Sequence, residues 1–242
     1  MSNITPTTGS MTAWQKAEFA IEHSNRVLLY GLPGTGKTYF GLTHATNNNK
    51  AYRLACTEDM SSSDLEGFWR REASGALKFH EGVGIRAWRE GARLVVDEIN
   101  RINGDVESKL MMLLDTEASA SWENPDTGEV VKPHSGFSVV ATMNGMPEDL
   151  APAVLDRLTV RCAVNTPNPK AIDALPIYLR QLAETFTSED AQFRYSLRSF
   201  VEFHAMYEKS KDLRACAQVV FPEVHESMTD SLAIIASEAG LL

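Results

Sequence analysis

The run Val27-Leu28-Leu29-Tyr30, followed at once by Gly31-Leu32-Pro33-Gly34-Thr35-Gly36-Lys37-Thr38, constrains this chain more than any other stretch. The apolar run reads as a buried strand, and it stops at a glycine-rich loop of the form G-x-x-x-x-G-K-[ST]. Glycines let the backbone curl tightly, so that successive N–H groups point inward at phosphate oxygens. Lys37 brings a mobile positive charge for the terminal phosphates, and the Thr38 hydroxyl can bind Mg²⁺. Tyr39 to Ala45 then reads as the helix whose positive N-terminal end faces the phosphates. Strand, loop and helix in this order predict a nucleotide site. Gly31, Pro33, Gly34, Thr35, Gly36, Lys37 and Thr38 are its expected ligands.

With 242 residues, 43% of them hydrophobic, the chain can bury one large core, or a large core and a smaller companion. A formal net charge of −9 argues against broad electrostatic binding to nucleic acid. Cys56, Cys162 and Cys216 are widely spaced and read as ordinary reduced thiols with no zinc site. Met1 to Gly9 lacks the features of a signal peptide, and no apolar run approaches the ~20 residues needed to span a membrane. A soluble, cytoplasmic protein is expected.

A second chemical signature follows. Arg93-Leu94-Val95-Val96-Asp97-Glu98 is an apolar strand ending in two carboxylates. The first acid can hold the water shell of Mg²⁺ opposite the Thr38 hydroxyl; the second can act as general base toward an attacking water. The two acids can equally cap a helix beginning near Asn103. Their distance after Lys37, with room for one strand and helix between, favours the chemical reading. Phe137 to Ala141 reads as a further strand, with Asn144 just beyond its end. There an amide can touch the attacking water and the γ-phosphate, although such an asparagine is more often a turn residue.

Around these motifs, Thr12 to Ser24 reads as a helix with Thr12 as N-cap and Trp14, Ala17, Phe19, Ala20 and Ile21 as its apolar positions. Asn47-Asn48-Asn49 marks a turn and Ala51 to Cys56 a strand. Asp64 to Arg71 reads as helical, Gly75 to Gly82 as hairpin-like, and Ile85 to Glu90 as a short helix closed by Gly91. Asp105 to Leu114 has an amphipathic helical pattern, and Ser119 to Ser135 reads as a protruding hairpin. Ala153 to Arg161 looks like a helix end running into a short strand; Arg157 and Arg161, spaced by four, would ordinarily make surface ion pairs. Thr166-Pro167-Asn168-Pro169 reads as a linker. Beyond it, Ala171 to Thr185, Ser196 to Tyr207, Leu213 to Phe221 and Met228 to Glu238 read as helices. The expected division is a flexible start (1–11), an α/β nucleotide-binding domain (12–166) and a helical domain (167–242).

Taken together, Gly31 to Thr38, Val95 to Arg101, Ala141-Thr142-Met143-Asn144 and Leu155-Asp156-Arg157-Leu158 resemble the AAA+ ATPases. Within them they resemble the MoxR-like group, which includes Rubisco-activating and gas-vesicle relatives. The resemblance implies a P-loop α/β fold with a parallel sheet flanked by helices and a small C-terminal all-helical lid. It implies ATP and Mg²⁺ as cofactors, Lys37 and Thr38 as phosphate and metal ligands, Asp97 as the metal acid and Glu98 as the catalytic base. By the same likeness Asn144 is the sensor and Arg157 an arginine finger acting on a neighbouring subunit's nucleotide. Arg161 assists it, and Arg198 in the lid is a second sensor. Most members carry phenylalanine after the finger arginine, where this chain has Leu158. Phe79-His80-Glu81-Gly82 looks like part of the group's inserted hairpin above a central pore.

The resemblance therefore implies a homo-oligomeric ring, a hexamer, that remodels or activates a protein client. The client would work with, or carry, a von Willebrand factor A domain. A nucleic-acid motor or loader is the alternative. Against it stand the acidic balance and the absence of a basic, aromatic-laced segment in Ser74 to Gly84 or Ser119 to Ser135. A P-loop kinase would need neither Asn144 nor Arg157, and no N-K-x-D motif points to GTP.

Overall fold

In the computed structural model the described residues are 10–46, 50–102, 104–116, 118–188, 191 and 193–238. The expected turn at Asn47-Asn48-Asn49 and most of the expected flexible start lie outside them. The first described element is α1 (Ala13–His23), opened by a reciprocal capping box between Thr12 and Gln15. Trp14, Ala17, Ala20 and Ile21 are buried. Phe19 is not one of the core positions: it is 53% exposed and stacks on His23.

Next come β1 (Arg26–Tyr30), α2 (Lys37–Thr43) and β2 (Ala51–Ala55). They are followed by α3 (Ser62–Leu65), β3 (Gly67–Arg71), β4 (Leu77–Glu81) and α4 (Val83–Glu90). β5 (Arg93–Asp97), α5 (Gly104–Leu114), β6 (Trp122–Glu123), β7 (Val130–Val131) and β8 (Ser138–Thr142) come after them. α6 (Pro152–Arg157) and β9 (Val160–Ala163) complete the α/β part. Five strands form one parallel sheet in the order β2-β5-β8-β1-β9.

The central strands β1, β5 and β8 are largely apolar because the sheet is covered on both faces there; the edge strands β2 and β9 are partly exposed and carry Arg53 and Arg161. Leu28, Leu94, Val96, Val139 and Ala141 point to one side, against Ile85 and Trp88 of α4 and Val106 and Leu110 of α5. Their neighbours Val27, Leu29 and Val140 point to the other, against Trp14 of α1 and Phe40 of α2. This two-residue alternation fixes the register, since a slip by one would exchange the two cores.

The reading of Asp64 to Arg71 as one helix is corrected. The helix ends at Leu65, because Gly67 adopts φ +132° and a Cβ there would meet the His80 carbonyl oxygen at 2.3 Å. The chain then runs out as β3 and pairs antiparallel with β4, so the hairpin starts at Gly67 rather than near Gly75. The phosphate-loop helix begins at Lys37, two residues before the expected Tyr39.

The C-terminal residues form α7 (Pro169–Asp173), α8 (Ile177–Thr187), α9 (Leu197–Ser210), α10 (Leu213–Val220) and α11 (His225–Glu238). The single helix expected from Ala171 to Thr185 is divided, because Pro176 has no N–H to continue it and caps α8 instead. Leu179, Phe200, Phe203, Phe221, Met228 and Leu232 make a separate buried core. The three cysteines are free and buried. No helix among the described residues is long and apolar enough to cross a membrane.

Candidate nucleotide-binding site

The loop after β1 needs its glycines because other chain segments crowd it. Gly31 takes φ +123°, and a Cβ there would lie 2.3 Å from Asn165 Oδ1. That asparagine accepts the Leu32 N–H at 3.1 Å, and Thr35, fully buried, donates its hydroxyl to the Leu32 carbonyl at 3.3 Å. From the helical domain, Arg194 donates to the Pro33 carbonyl at 2.7 Å. The loop is thus braced from both domains in the shape that turns its amides inward.

Lys37 is buried and donates to the Gly31 and Leu32 carbonyls at 3.2 and 2.6 Å and to Asn144 Oδ1 at 3.1 Å. Asn144 in turn donates to Glu98 Oε1 at 3.5 Å, so one amide links the lysine to the carboxylate. Thr38 and Thr142 both donate to Asp97 Oδ1 at 2.6 Å. Burial pushes the Asp97 carboxyl up, but the hydrogen bonds from Thr142, Thr38 and Arg53 outweigh it and hold it below the ordinary range. Glu98 sits at φ 58°, ψ 48°, a left-handed conformation rare outside glycine, and pairs with Arg101 at 3.0 Å. Strained backbone of this kind concentrates at functional sites.

These side chains line a cleft of about 760 Å³ that also takes in Arg198. Its other wall is apolar, with Leu42, Ala171, Ala174, Leu197 and Val201. A polar end for phosphates and an apolar end for a base fit a nucleotide. Arg157 and Arg161 do not line the cleft. Arg157 donates to Asp115 Oδ1 at 3.1 Å, and Arg161 to the Leu155 and Leu158 carbonyls at 2.6 and 2.8 Å.

Arg53 was not legible as a site residue. From β2 it donates to Asp97 Oδ2 through Nε and Nη2, at 3.1 and 2.5 Å, so both oxygens of that carboxylate are engaged. Its partner lies 44 positions away, and no local motif announces it. Asn165 and Arg194 escaped for the same reason.

Lys37 is lowered from 10.5 to about 8, chiefly by burial and then by nearby Arg194, with Asp97 and Glu98 opposing the shift. The protonated form is the one that attracts phosphate. ATP affinity measured without divalent cation is therefore expected to be flat below pH 7 and to weaken about tenfold per pH unit above 8. A lysine at its ordinary value would hold affinity to about pH 10. Constant affinity from pH 7 to 9.5, by fluorescence titration, would exclude the depressed lysine.

The AAA domain of the dynein-related subfamily matches residues 26–158. The chain belongs to this family. The matched span runs from β1 through α6, so it contains Lys37, Thr38, Asp97, Glu98, Asn144 and Arg157 and stops short of Arg161 and Arg198. An uncharacterised protein of Staphylococcus saprophyticus is 31% identical over 149 residues, 60% of this chain and 56% of its own length. One of Staphylococcus epidermidis is 32% identical over 139 residues, 55% of this chain and 52% of its own. The AAA chain thus spans about half the length of the curated relatives it matches. A solved structure described as a "putative ATPase" from Cytophaga hutchinsonii aligns over 80% of this chain and 57% of its own, with TM-score 0.48 and 19% identity. An AAA domain binds and hydrolyses ATP.

Proposed function

We propose that this AAA+ ATPase assembles as a MoxR-like ring, a hexamer, that hydrolyses ATP between neighbouring subunits to remodel or activate a protein client. One observation carries the shared site. The cleft contains lysine, metal acid, base and sensor, while Arg157 and Arg161 point elsewhere and are left for a neighbour's cleft. Phosphoryl transfer is catalysed by positioning and charge stabilisation, so a missing positive charge is a missing part.

The residues fit ATP and Mg²⁺. Lys37 and the loop amides would hold the phosphates, and Leu42, Ala171 and Val201 the base. Thr38 Oγ1 and Asp97 Oδ1, 2.6 Å apart, make an all-oxygen donor set suited to a hard cation. Bound Mg²⁺ neutralises phosphate charge. Glu98 takes the proton of the attacking water, and Asn144 holds the Glu98 carboxylate at the lysine end of the cleft. A client that carries, or works with, a von Willebrand factor A domain belongs to the same reading.

The structure gives one observation to the alternative, a nucleic-acid motor. β3 adds Phe68, Trp69, Arg70 and Arg71 to the hairpin that carries Lys78 and His80, so the lack of a basic, aromatic-laced segment no longer argues against it. The test of the ring is hydrolysis per subunit across protein concentration. Specific activity is expected to climb and then level off as the ring fills. A constant specific activity, with the protein monomeric in sedimentation, would overturn the shared site.

A further inference from the structure

The hairpin of β3 and β4 has one edge closed and one open. Gly82 N–H donates to the Glu66 carbonyl and Glu72 N–H to the Ala76 carbonyl, so the even-numbered residues of β3 face β4 with their backbone groups. Gly67, Trp69 and Arg71 therefore turn theirs outward, and these find no hydrogen-bond partner among the described residues. On the β4 side the matching Phe79 N–H is capped by Asp126 Oδ2 at 3.4 Å. An open row of donors and acceptors on β3 is a template for one more strand.

The two faces of the hairpin differ as well. Phe79 packs edge-on with Trp69 and lies 5.8 Å from Trp122 of β6, which orients that face toward the second hairpin. The opposite face carries Phe68, Arg70, Lys78 and His80. Arg70 stands directly across from Lys78, and neither makes an ion pair or hydrogen bond among the described residues. Like charges in this position destabilise a sheet. Other cations nearby are neutralised, Arg89 by Glu81 and Glu129 and Lys109 by Glu66, and His80 meets Glu72 at 2.8 Å; Arg71, on the other face, donates to the Gly75 carbonyl at 2.9 Å and has no carboxylate partner among the described residues. On a chain of net charge −9, two adjacent cations left without counter-charge mark a surface built for an anionic group from outside.

Resting on the remodelling reading above, we infer that this face and edge take an extended acidic segment of the client polypeptide as a third strand. Its backbone pairs with Trp69 and Arg71. Side chains on one of its faces recur every second residue, so alternate carboxylates reach Arg70 and Lys78 while a neighbour rests on exposed Phe68. The phosphates of a nucleic acid offer acceptors but not the alternating donors and acceptors of a strand edge. It also calls for a longer positive track than Arg70 and Lys78 on this face, with Arg71 on the other, provide.

The test uses fluorescence anisotropy without nucleotide, on the whole protein, with a fluorescein-labelled decapeptide of alternating glutamate and threonine. Saturable binding is expected. The double variant Arg70→Glu/Lys78→Glu should weaken it by about tenfold or more, and added salt should weaken the wild type. The same peptide methylated on alternate backbone amides should lose binding with the wild type, which separates strand addition from charge attraction alone. Lys78→Glu by itself, checked by circular dichroism, guards against a folding defect in the double variant. Equal peptide binding by wild type and double variant would overturn the proposal. So would capture of labelled oligo-dT, dependent on Arg70 and Lys78, in place of the peptide. A change in sedimentation with no peptide binding would instead assign the face to contact between copies of this chain, and equally overturns it. Because nucleotide is absent, a failure here leaves concentration-dependent hydrolysis untouched, and a failure of the ring test leaves peptide binding untouched.

Discussion

Glu98→Gln is expected to bind ATP as tightly as the wild type and to hydrolyse it ~10²-fold more slowly or worse. The structure leaves little choice of base. Asp97 lies deeper, with Arg53 holding one oxygen and Thr38 and Thr142 the other, which is the oxygen placed to face a cation. Glu98 is held in a left-handed backbone conformation, and among the described residues its side chain pairs with Arg101 and accepts from the Asn144 amide, which lines the cleft with it. Glutamine keeps the length of the side chain and can still accept from Asn144, but it cannot take a proton. Affinity should be read with a fluorescent ATP analogue and hydrolysis in a single turnover, so that slow product release does not hide the chemical step. A variant turning over within threefold of the wild type would remove Glu98 from the base role.

That experiment also separates the two acids. Were Asp97 the base and Glu98 a helix-capping residue, Glu98→Gln would cost little, and Asp97→Asn would abolish hydrolysis while leaving binding intact. At the short turn Ile99–Arg101 that follows directly, the Glu98 side chain makes no cap hydrogen bond.

What could be read from the sequence was what is contiguous in it. The loop from Gly31 to Thr38 and the acids at the end of β5 declare themselves because strand, ligand and helix follow one another along the chain. The three central strands of the parallel sheet are short, largely apolar runs, visible because both faces are buried. Their order across the sheet was not visible, since parallel strands are joined by crossovers and pair with distant partners. The residues that brace the site were hidden by the same distance: Asn165 supports Leu32 across 133 positions. β3 was misread for a different reason. Phe68-Trp69-Arg70-Arg71 has no polar–apolar alternation, because one apolar residue faces the second hairpin and the other faces outward, each beside an arginine. Gly67 was the one local sign that a helix could not continue.

Arg157→Ala is expected to lower hydrolysis by ~10³-fold while leaving ATP binding unchanged, the loss typical of a finger arginine. The competing view is the ordinary one, that Arg157 merely pairs with Asp115 on its own chain at 3.1 Å. Such a partly exposed pair is worth about 0–1 kcal/mol. A ~10³-fold loss is about 4 kcal/mol, so the cost of releasing Arg157 from Asp115 is small beside what it would supply across a subunit boundary. The two views part most clearly in a mixture. Arg157→Ala subunits retain Glu98, and Glu98→Gln subunits retain Arg157, so a mixed ring contains complete sites at some of its boundaries. Random mixing in equal parts should restore activity at about a quarter of the head-to-tail interfaces, where each parent alone has none. If the mixture stays as inactive as its parents while both bind ATP, Arg157 acts within its own chain. The site would then be self-contained, and the argument for a ring would lose its chief support.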